Sequence, residues 1–400
     1  MNAATSTSDE LGVLEGMELR RFVAPEIVFG RGALELVGRH IAAYQGRRIL
    51  LVTDENVRRA GWFGQVEASL RKAGSRYVIF DRLTPNPKDY EIMAGVDFYL
   101  RQGCDMVLAV GGGSVIDCAK GIGAAAVNQR HILRFLDSVE GMLPSPPLIC
   151  VPTTAGSGAD VSQFAVVLDT RRRVKATLIG RAFVPEVTLV DAETTATLPK
   201  EYVAASGLDA LIHALEAYLS NASSPITDLY ALEAARLIRS NLVQAVNHPE
   251  DQQSRHSMML GSLLAGIAFS NAGLGLIHAM GHAVGGLLDA VHGVALSAVF
   301  SSAARFQFDA AKPRCLAFLR AMHPHLNLKD EDKALQALMD DFQLLREELE
   351  LPLTLAEIGV RQSDLPALAR QALEDACLAT APRAPTLEDI EELFVEGYGR

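Results

Sequence analysis

Asp209 and His213 stand four residues apart in ASGLDALIHALEAY (205–218), and His278 and His282 stand four apart in HAMGHAVGG (278–286). Residues at that spacing share one face of a helix. A further histidine, His292, follows in VHG. A lone histidine on an apolar face is usually a satisfied core residue. Three within fifteen residues, in a segment with no Lys or Arg from 256 to 304, are harder to explain that way. Burying so many imidazoles beside a carboxylate is costly unless they are paired or bind a metal. Neutral imidazoles and a carboxylate match Zn²⁺ or Fe²⁺, and ligand type alone does not separate the two. Four of the five polar side chains suffice for one ion, which leaves one for another role.

A second constellation lies upstream. GGGSVID (111–117) follows the buried strand-like run DMVLAV (105–110) and opens a helical stretch, Ser114–Ala126. Glycines there let the backbone approach a pyrophosphate, and a helix N-terminus offers free N–H groups to anionic oxygens. The third glycine of the Rossmann fingerprint would fall at Ile116, and the Gly-Lys-Ser/Thr ending of a Walker loop is missing, so this is a cradle of another design. Asp54 ends the run RRILLVTD (47–54). Taken singly it reads equally as a helix cap, but there a carboxylate can also accept hydrogen bonds from the adenosine ribose and repel a 2′-phosphate, which favours NAD over NADP. PTTAGSGAD (152–160) adds the hydroxyls of Thr153, Thr154 and Ser157. All three loops fall at C-terminal ends of strands, where open α/β sheets bind ligands.

The elements that must position these residues change character along the chain. Up to Asp191, strand-like runs (RRILLVTD, RYVIFD, DMVLAV, LICVPTT, FAVVLD, VKATLIG, VTLVD) alternate with helical stretches at Val57–Gly74, Lys88–Gln102 and Ser114–Ala126. That alternation implies a largely parallel sheet with helices on both faces. After Leu198–Pro199, Ala, Leu, Glu and Met recur at helical spacing almost to the C-terminus. The chain therefore divides into an α/β dinucleotide-binding domain (1–198) and an all-helical domain (199–400). Its 400 residues suit two cores better than one.

Composition removes several function classes. A net charge of −11 argues against nucleic acid and gives an anionic membrane surface no basic patch. The most apolar stretch, Met258–Ala304, is broken by Ser262, Ser270, Asn271, His278, His282 and Asp289, so it reads as buried helices rather than a span. Cys104, Cys118, Cys150, Cys315 and Cys377 are scattered and suit free thiols in a reducing cytoplasm. The opening MNAATSTSDELG has neither a basic start nor an apolar region, reads as no signal peptide, and is the segment expected to be most flexible.

GGGSVID, PTTAGSGAD, GLDALIHALEAY, GLIHAMGHAVGG and VHG closely resemble the iron-containing (group III) alcohol dehydrogenases, in order and spacing, from about residue 20 to the C-terminus. The resemblance implies metal ligands at Asp209, His213, His278 and His292, with His282 the non-ligand histidine beside the substrate. It implies a pyrophosphate loop at Gly112, Gly113, Ser114 and Asp117, a ribose contact at Asp54, and further cofactor positions at Asn86, Thr153, Thr154, Ser157, Val166 and Lys175. It also implies a dehydroquinate synthase-like fold, with the site in the cleft between an α/β and a helical domain, and a homodimer. Val291 stands where many relatives have Pro before the last ligand, a departure that bears on the loop carrying His292. The tail EDACLATAPRAPTLEDIEEL resembles a subgroup of alcohol-dehydrogenase-like regulatory proteins.

The expected chemistry is hydride transfer between a small neutral primary alcohol and NAD, assisted by Fe²⁺ or Zn²⁺, with His282 relaying the proton. Neutrality is argued from the lack of basic residues between Arg255 and Arg305, which leaves no local clamp for a phosphate or carboxylate. That absence also counts against dehydroquinate synthase and glycerol-1-phosphate dehydrogenase chemistry. A sensor or regulatory protein that keeps NAD and metal is the alternative, separable by assay against a panel of alcohols. A purely structural helical protein leaves the N-terminal crevice unexplained.

Overall fold

The computed structural model describes residues 21–136 and 143–399; the N-terminal dozen expected to be flexible lies outside them. Eight strands are present among the described residues. They are β1 (Glu26–Phe29), β2 (Ile49–Val52), β3 (Tyr77–Phe80), β4 (Met106–Gly111), β5 (Leu148–Pro152), β6 (Phe164–Asp169), β7 (Val174–Ile179) and β8 (Val187–Val190). The helices of this first half are α1 (Val37–Ala43), α2 (Glu55–Ala60), α3 (Trp62–Lys72), α4 (Asp89–Gln102) and α5 (Gly113–Asn128).

Every residue of β2, β4, β5 and β8 is buried, which is why these strands read as continuous apolar runs rather than alternating ones. They form a six-stranded, all-parallel sheet in the order β1-β8-β5-β4-β2-β3. Successive residues face opposite ways. Leu50, Val52, Val107 and Ala109 join a core with Ile92 and Val96 of α4 and Ile122 of α5. Ile49, Leu51, Met106 and Leu108 join another with Val37 and Ile41 of α1 and Val66 and Leu70 of α3. The strand order reverses between β2 and β4, the place where doubly wound sheets open a crevice. Asp54 follows β2, the glycine loop follows β4 and PTTAGSGAD follows β5, so three neighbouring strands present the three loops side by side.

The second half is helical, with no strand among the described residues after Val190. It comprises α6 (Lys200–Leu219), α7 (Pro225–Asn247), α8 (Gln252–Ala272), α9 (Leu276–Leu288), α10 (His292–Phe308), α11 (Lys312–Met322), α12 (Glu331–Glu348), α13 (Leu365–Leu373) and α14 (Leu387–Tyr398). No single helix among the described residues is long and apolar enough to cross a membrane; α8 and α9 pass that test only as a pair, bent by 102°. The bend sits at Gly273 (φ 77°), a left-handed position where a side chain would also run into Thr380. All five cysteines are buried and unpaired.

Three local features differ from the sequence reading. The amphipathic stretch 57–74 is two helices, because Gly61 at φ 92° ends α2 and starts α3. The short edge strand β1 has no counterpart among the strand-like runs of the sequence; only four residues pair, with β8 alone. The runs FAVVLD and VKATLIG do not join the parallel sheet but form an antiparallel hairpin, β6–β7. That hairpin packs on α9, where Gly285 and Gly286 clear the way: a Cβ on Gly286 would lie 2.7 Å from the Val174 Cα.

Candidate metal centre and cofactor cleft

α6 carries Asp209 and His213 one turn apart, α9 carries His278 and His282, and α10 begins at His292. The three helices converge because small residues line their contacts. A Cβ on Gly293 would run into the Ala205 carbonyl of α6, and one on Gly281 would lie 2.5 Å from Leu296 of α10. The result is that Nε2 of His213, His278 and His292 lie 3.6, 3.5 and 3.7 Å from a single atom, Asp209 Oδ1. Those distances are too long for hydrogen bonds. Of the converging atoms, Asp209 Oδ1 and His278 Nε2 are buried without a hydrogen-bond partner; on His292 the unpartnered buried atom is Nδ1, on the other side of the ring from the Nε2 that faces Asp209. Asp209, His278 and His292 form a compact donor group, with donor atoms within 4.8 Å of one another, and His213 approaches from the Asp209 side.

This donor set fits a divalent ion. Ligand atoms about 2.1 Å from a tetrahedral centre stand roughly 3.4 Å apart, close to the spacings found here. Unpartnered polar atoms in an apolar interior are otherwise expensive. Two rings are also oriented for ligation from behind. His213 Nδ1 faces the Gly156 carbonyl oxygen at 3.3 Å, and His278 Nδ1 faces Glu216 Oε2 at 2.6 Å, which leaves each Nε2 directed at Asp209. Burial drives His213 down to about 4, so that ring is neutral at pH 7. Burial also opposes the charged form of His278, yet the Asp209 and Glu216 carboxylates on either side push it up to about 9. Burial and neighbouring cations hold His292 well below its ordinary value, against the pull of Asp209.

His282 is beside this group but not part of it. Its ring stacks on His292, with centroids 5.2 Å apart, while Nδ1 lies 2.8 Å from Asp375 Oδ2. The Thr177 hydroxyl stands 3.4 Å from the same nitrogen. Sequence reasoning missed both Asp375 and Glu216. Asp375 lies 93 residues from His282, so no local spacing points to it. Glu216 did leave a signal, an acid seven residues after Asp209 on the apolar helix LIHALEAYL.

The imidazoles line one end of a cleft of about 450 Å³ between the two halves. Asn86, Gly113, Ser114, Asp117, Ser157, Val166 and Lys175 line the same cleft, so seven of the residues matched to cofactor positions come together. Gly112 and Thr154 are in close approach beside it, since a Cβ on Gly112 would lie 3.0 Å from Thr154 Cγ2. Thr153 is buried, its backbone N–H bonded to the Gly111 carbonyl. Asp54 caps α2, its Oδ1 accepting from Val57 N at 2.9 Å, which leaves Oδ2 for another donor. The cap and the ribose contact are thus compatible.

Asn86 does more than line the cleft. It adopts a left-handed φ of 54°, and its amide donates to Asp289 Oδ1 at 2.8 Å and to the Ala290 carbonyl at 3.2 Å. Lys88 adds an ion pair to Asp289 Oδ2 at 3.0 Å. These bonds tie the first half to the loop that carries His292. Val291 in that loop has φ −56° and ψ 129°, a backbone that proline would also accept.

The absence of Lys and Arg from 256 to 304 does not carry over into space. β7 brings Lys175 into the cleft against Gly285. Burial lowers its ammonium to about 8, against the opposing pull of Asp209, Asp289 and Asp117. Burial likewise raises Asp117 to about 6, opposed by Lys120, the Val166 N–H and Lys175.

Comparison with known proteins agrees with this geometry. Residues 24–192 match the iron-containing alcohol dehydrogenase family, and residues 203–398 match the family's C-terminal part. The chain is 33% identical over 375 residues to the NAD-dependent methanol dehydrogenase of Bacillus methanolicus, covering 93% of this chain and 98% of that one. It is 35% identical over 384 residues to the 1,3-propanediol dehydrogenase of Klebsiella pneumoniae, covering 94% and 98%. Among solved structures, a 1,3-propanediol oxidoreductase superposes with a TM-score of 0.91 at 34% identity, over 95% of this chain and all of that one. An alcohol dehydrogenase from Oenococcus oeni gives 0.91 at 32% identity over the same shares. The chain belongs to the iron-containing alcohol dehydrogenase family.

Proposed function

We propose that this protein interconverts small neutral primary alcohols and aldehydes with NAD as hydride carrier, using one divalent ion held by Asp209, His213, His278 and His292. The observation that carries the reading is the convergence of three imidazole Nε2 atoms on Asp209 Oδ1 at one end of the cleft that the glycine loop also lines. We take the ion to be Fe²⁺, a choice supported by the family; Zn²⁺ suits the same donors. When bound, the ion supplies Lewis acidity to the alcohol oxygen and NAD supplies the hydride acceptor.

The chain's own residues supply the rest. The N-terminus of α5, opened by Gly112 and Gly113, presents backbone N–H groups to a pyrophosphate. Thr154 and Ser157 flank that loop, and the free oxygen of Asp54 accepts from ribose hydroxyls and disfavours a 2′-phosphate. Phe164, Phe269, Leu274 and Val291 give the cleft apolar walls that exclude water from the hydride path. His282 takes the proton, held through Nδ1 by Asp375. Lys88 is matched by Asp289 at 3.0 Å. We assign Lys175, whose charged form the Asp209, Asp289 and Asp117 carboxylates favour against its burial, to the cofactor, which leaves the substrate end of the cleft to the imidazoles.

We further place the division between the halves near residue 198, between the end of β8 and the start of α6. A cytoplasmic homodimer is the assembly and location we expect; five unpaired cysteines suit a reducing compartment. Anaerobically purified protein assayed with NAD against a series of small primary alcohols tests the function. Turnover that prefers neutral alcohols over phosphorylated or carboxylated ones is expected, and a marked preference for the charged substrates overturns it.

A further inference from the structure

Glu216 lies two helical turns beyond Asp209 on α6 and is fully enclosed. Its carboxylate meets four donors. Oε1 accepts from Ile277 N and from Gln307 Nε2, each at 2.8 Å. Oε2 accepts from His278 N at 3.3 Å and from His278 Nδ1 at 2.6 Å. Gln307 in turn accepts from Leu276 N at 3.2 Å through its own amide oxygen. Leu276, Ile277 and His278 open α9, so their N–H groups have no partners within the helix. The preceding residue is a glycine, and a Cβ on Gly275 would run into the Gln307 amide and lie 2.9 Å from Glu216 Oε1, so a side chain there would disturb this node. One buried node therefore joins α6, α9 and α10, the three helices that carry the four candidate ligands.

The donor count has a consequence for His278. Four donors need four lone pairs, which a carboxylate offers and a neutral amide does not. With the backbone N–H groups and the Gln307 amide fixed as donors, His278 meets Oε2 through Nδ1–H. In the neutral ring that ligation requires, Nε2 then carries the lone pair, and Nε2 is the atom 3.5 Å from Asp209 Oδ1. We propose that Glu216 is the positioning residue of the metal centre: it fixes His278 in the tautomer and orientation that present Nε2 to the ion. This rests on the metal reading given above. A carboxylate at a helix N-terminus also stabilises that helix simply as a cap, so the test must separate capping from ligand positioning.

Glu216→Gln makes that separation. It keeps shape and volume but brings two amide N–H donors into a pocket already filled with donors. Where the new NH2 faces His278 the conflict is relieved only if the proton moves from Nδ1 to Nε2, which blocks ligation, and where the amide oxygen faces it a neutral acceptor replaces the charged one and holds the ring less firmly. Gln307→Met removes two bonds from the same node and leaves the carboxylate on Nδ1. Full-length protein is stripped of metal, and its Zn²⁺ affinity is measured by competition with a chelator, alongside NAD affinity and thermal midpoint. Glu216→Gln is expected to weaken Zn²⁺ binding by about 10- to 100-fold with NAD affinity unchanged. Gln307→Met is expected to lower the thermal midpoint while its Zn²⁺ affinity stays within about tenfold of wild type. Wild-type Zn²⁺ affinity in Glu216→Gln overturns the proposal. So does Zn²⁺ affinity that simply follows the thermal midpoint in both variants. Should Glu216→Gln not yield folded protein, Glu216→Asp replaces it, since the shorter acid no longer reaches His278: the same loss is expected, and wild-type affinity overturns the proposal. A wild-type chain that takes up no Zn²⁺ overturns the metal reading itself.

Discussion

Asp375 holds His282 by a 2.8 Å contact between Oδ2 and Nδ1, with both side chains almost completely buried. The other carboxylate oxygen of Asp375 accepts from Cys377 N at 2.8 Å, capping the short turn Ala376–Thr380. One acid is thus fastened to the backbone on one side and to the ring on the other. Nδ1 of His282 is committed, and Nε2 is the nitrogen left for exchange with substrate or water. A carboxylate behind an imidazole fixes which nitrogen carries the proton.

Replacing that acid should therefore slow proton transfer without emptying the metal centre. His282→Ala is expected to lower kcat by about 10²-fold or more. Asp375→Asn should lower it by roughly 10-fold, as a misdirected rather than a missing ring. Metal content, measured on the same preparations, should stay at the wild-type level in both. A full rate in His282→Ala removes the relay from the account.

Gly293 sets the distance between α10 and α6. A methyl group there meets the Ala205 carbonyl, which is backbone and has no rotamer to yield. Gly293→Ala is expected to cost about 1–3 kcal/mol in overpacking and to carry His292 away from Asp209. A lower thermal midpoint together with reduced bound metal is the predicted pair of effects. Wild-type values for both would show that the helices tolerate the extra atom.

The buried ammonium of Lys175 predicts a pH-dependent stability. Its folded value of about 8 lies below the ordinary 10.5, so the unfolded chain binds the extra proton between those values and stability rises with pH across that window. Below pH 8 the cost of burying the charge is fully present. Lys175→Met should melt higher than wild type at pH 7, with a gain that shrinks as the pH is raised from 8 towards 10, and its NAD affinity should fall. A difference in melting temperature independent of pH would contradict the assignment.

Asp54 serves as cap and as candidate ribose contact, and Asn caps a helix as well as Asp does. Asp54→Asn therefore keeps α2 while removing a charge that repels a 2′-phosphate by roughly 1–4 kcal/mol. Thermal stability should hold, and the ratio of kcat/KM for NADP over NAD should rise by about tenfold or more. An unchanged cofactor ratio places Asp54 outside the ribose site.

Much of this architecture is legible in the sequence because its signals are local. Strands buried on both faces appear as unbroken apolar runs, and the glycine loop lies within seven residues of chain. The break at Gly61 was hidden because the apolar period continues from α2 into α3 across it. The β6–β7 hairpin was hidden because an apolar run is the same whether its partner is parallel or antiparallel. In the candidate site, residues four apart on one helix were visible, whereas what holds them was not. Asp375 reaches His282 from 93 residues away, and Gln307 reaches Glu216 from 91. Lys175 enters the cleft on a hairpin, so a segment of chain without cations did not mean a cleft without one.

Metal content of the anaerobically purified chain tests the central claim most directly. One Fe²⁺ or Zn²⁺ per wild-type chain is expected, lost in Asp209→Ala, with NAD binding retained in that variant. A metal-free wild-type chain that oxidises alcohols with NAD at full rate, or an Asp209→Ala variant that keeps its ion, would contradict it.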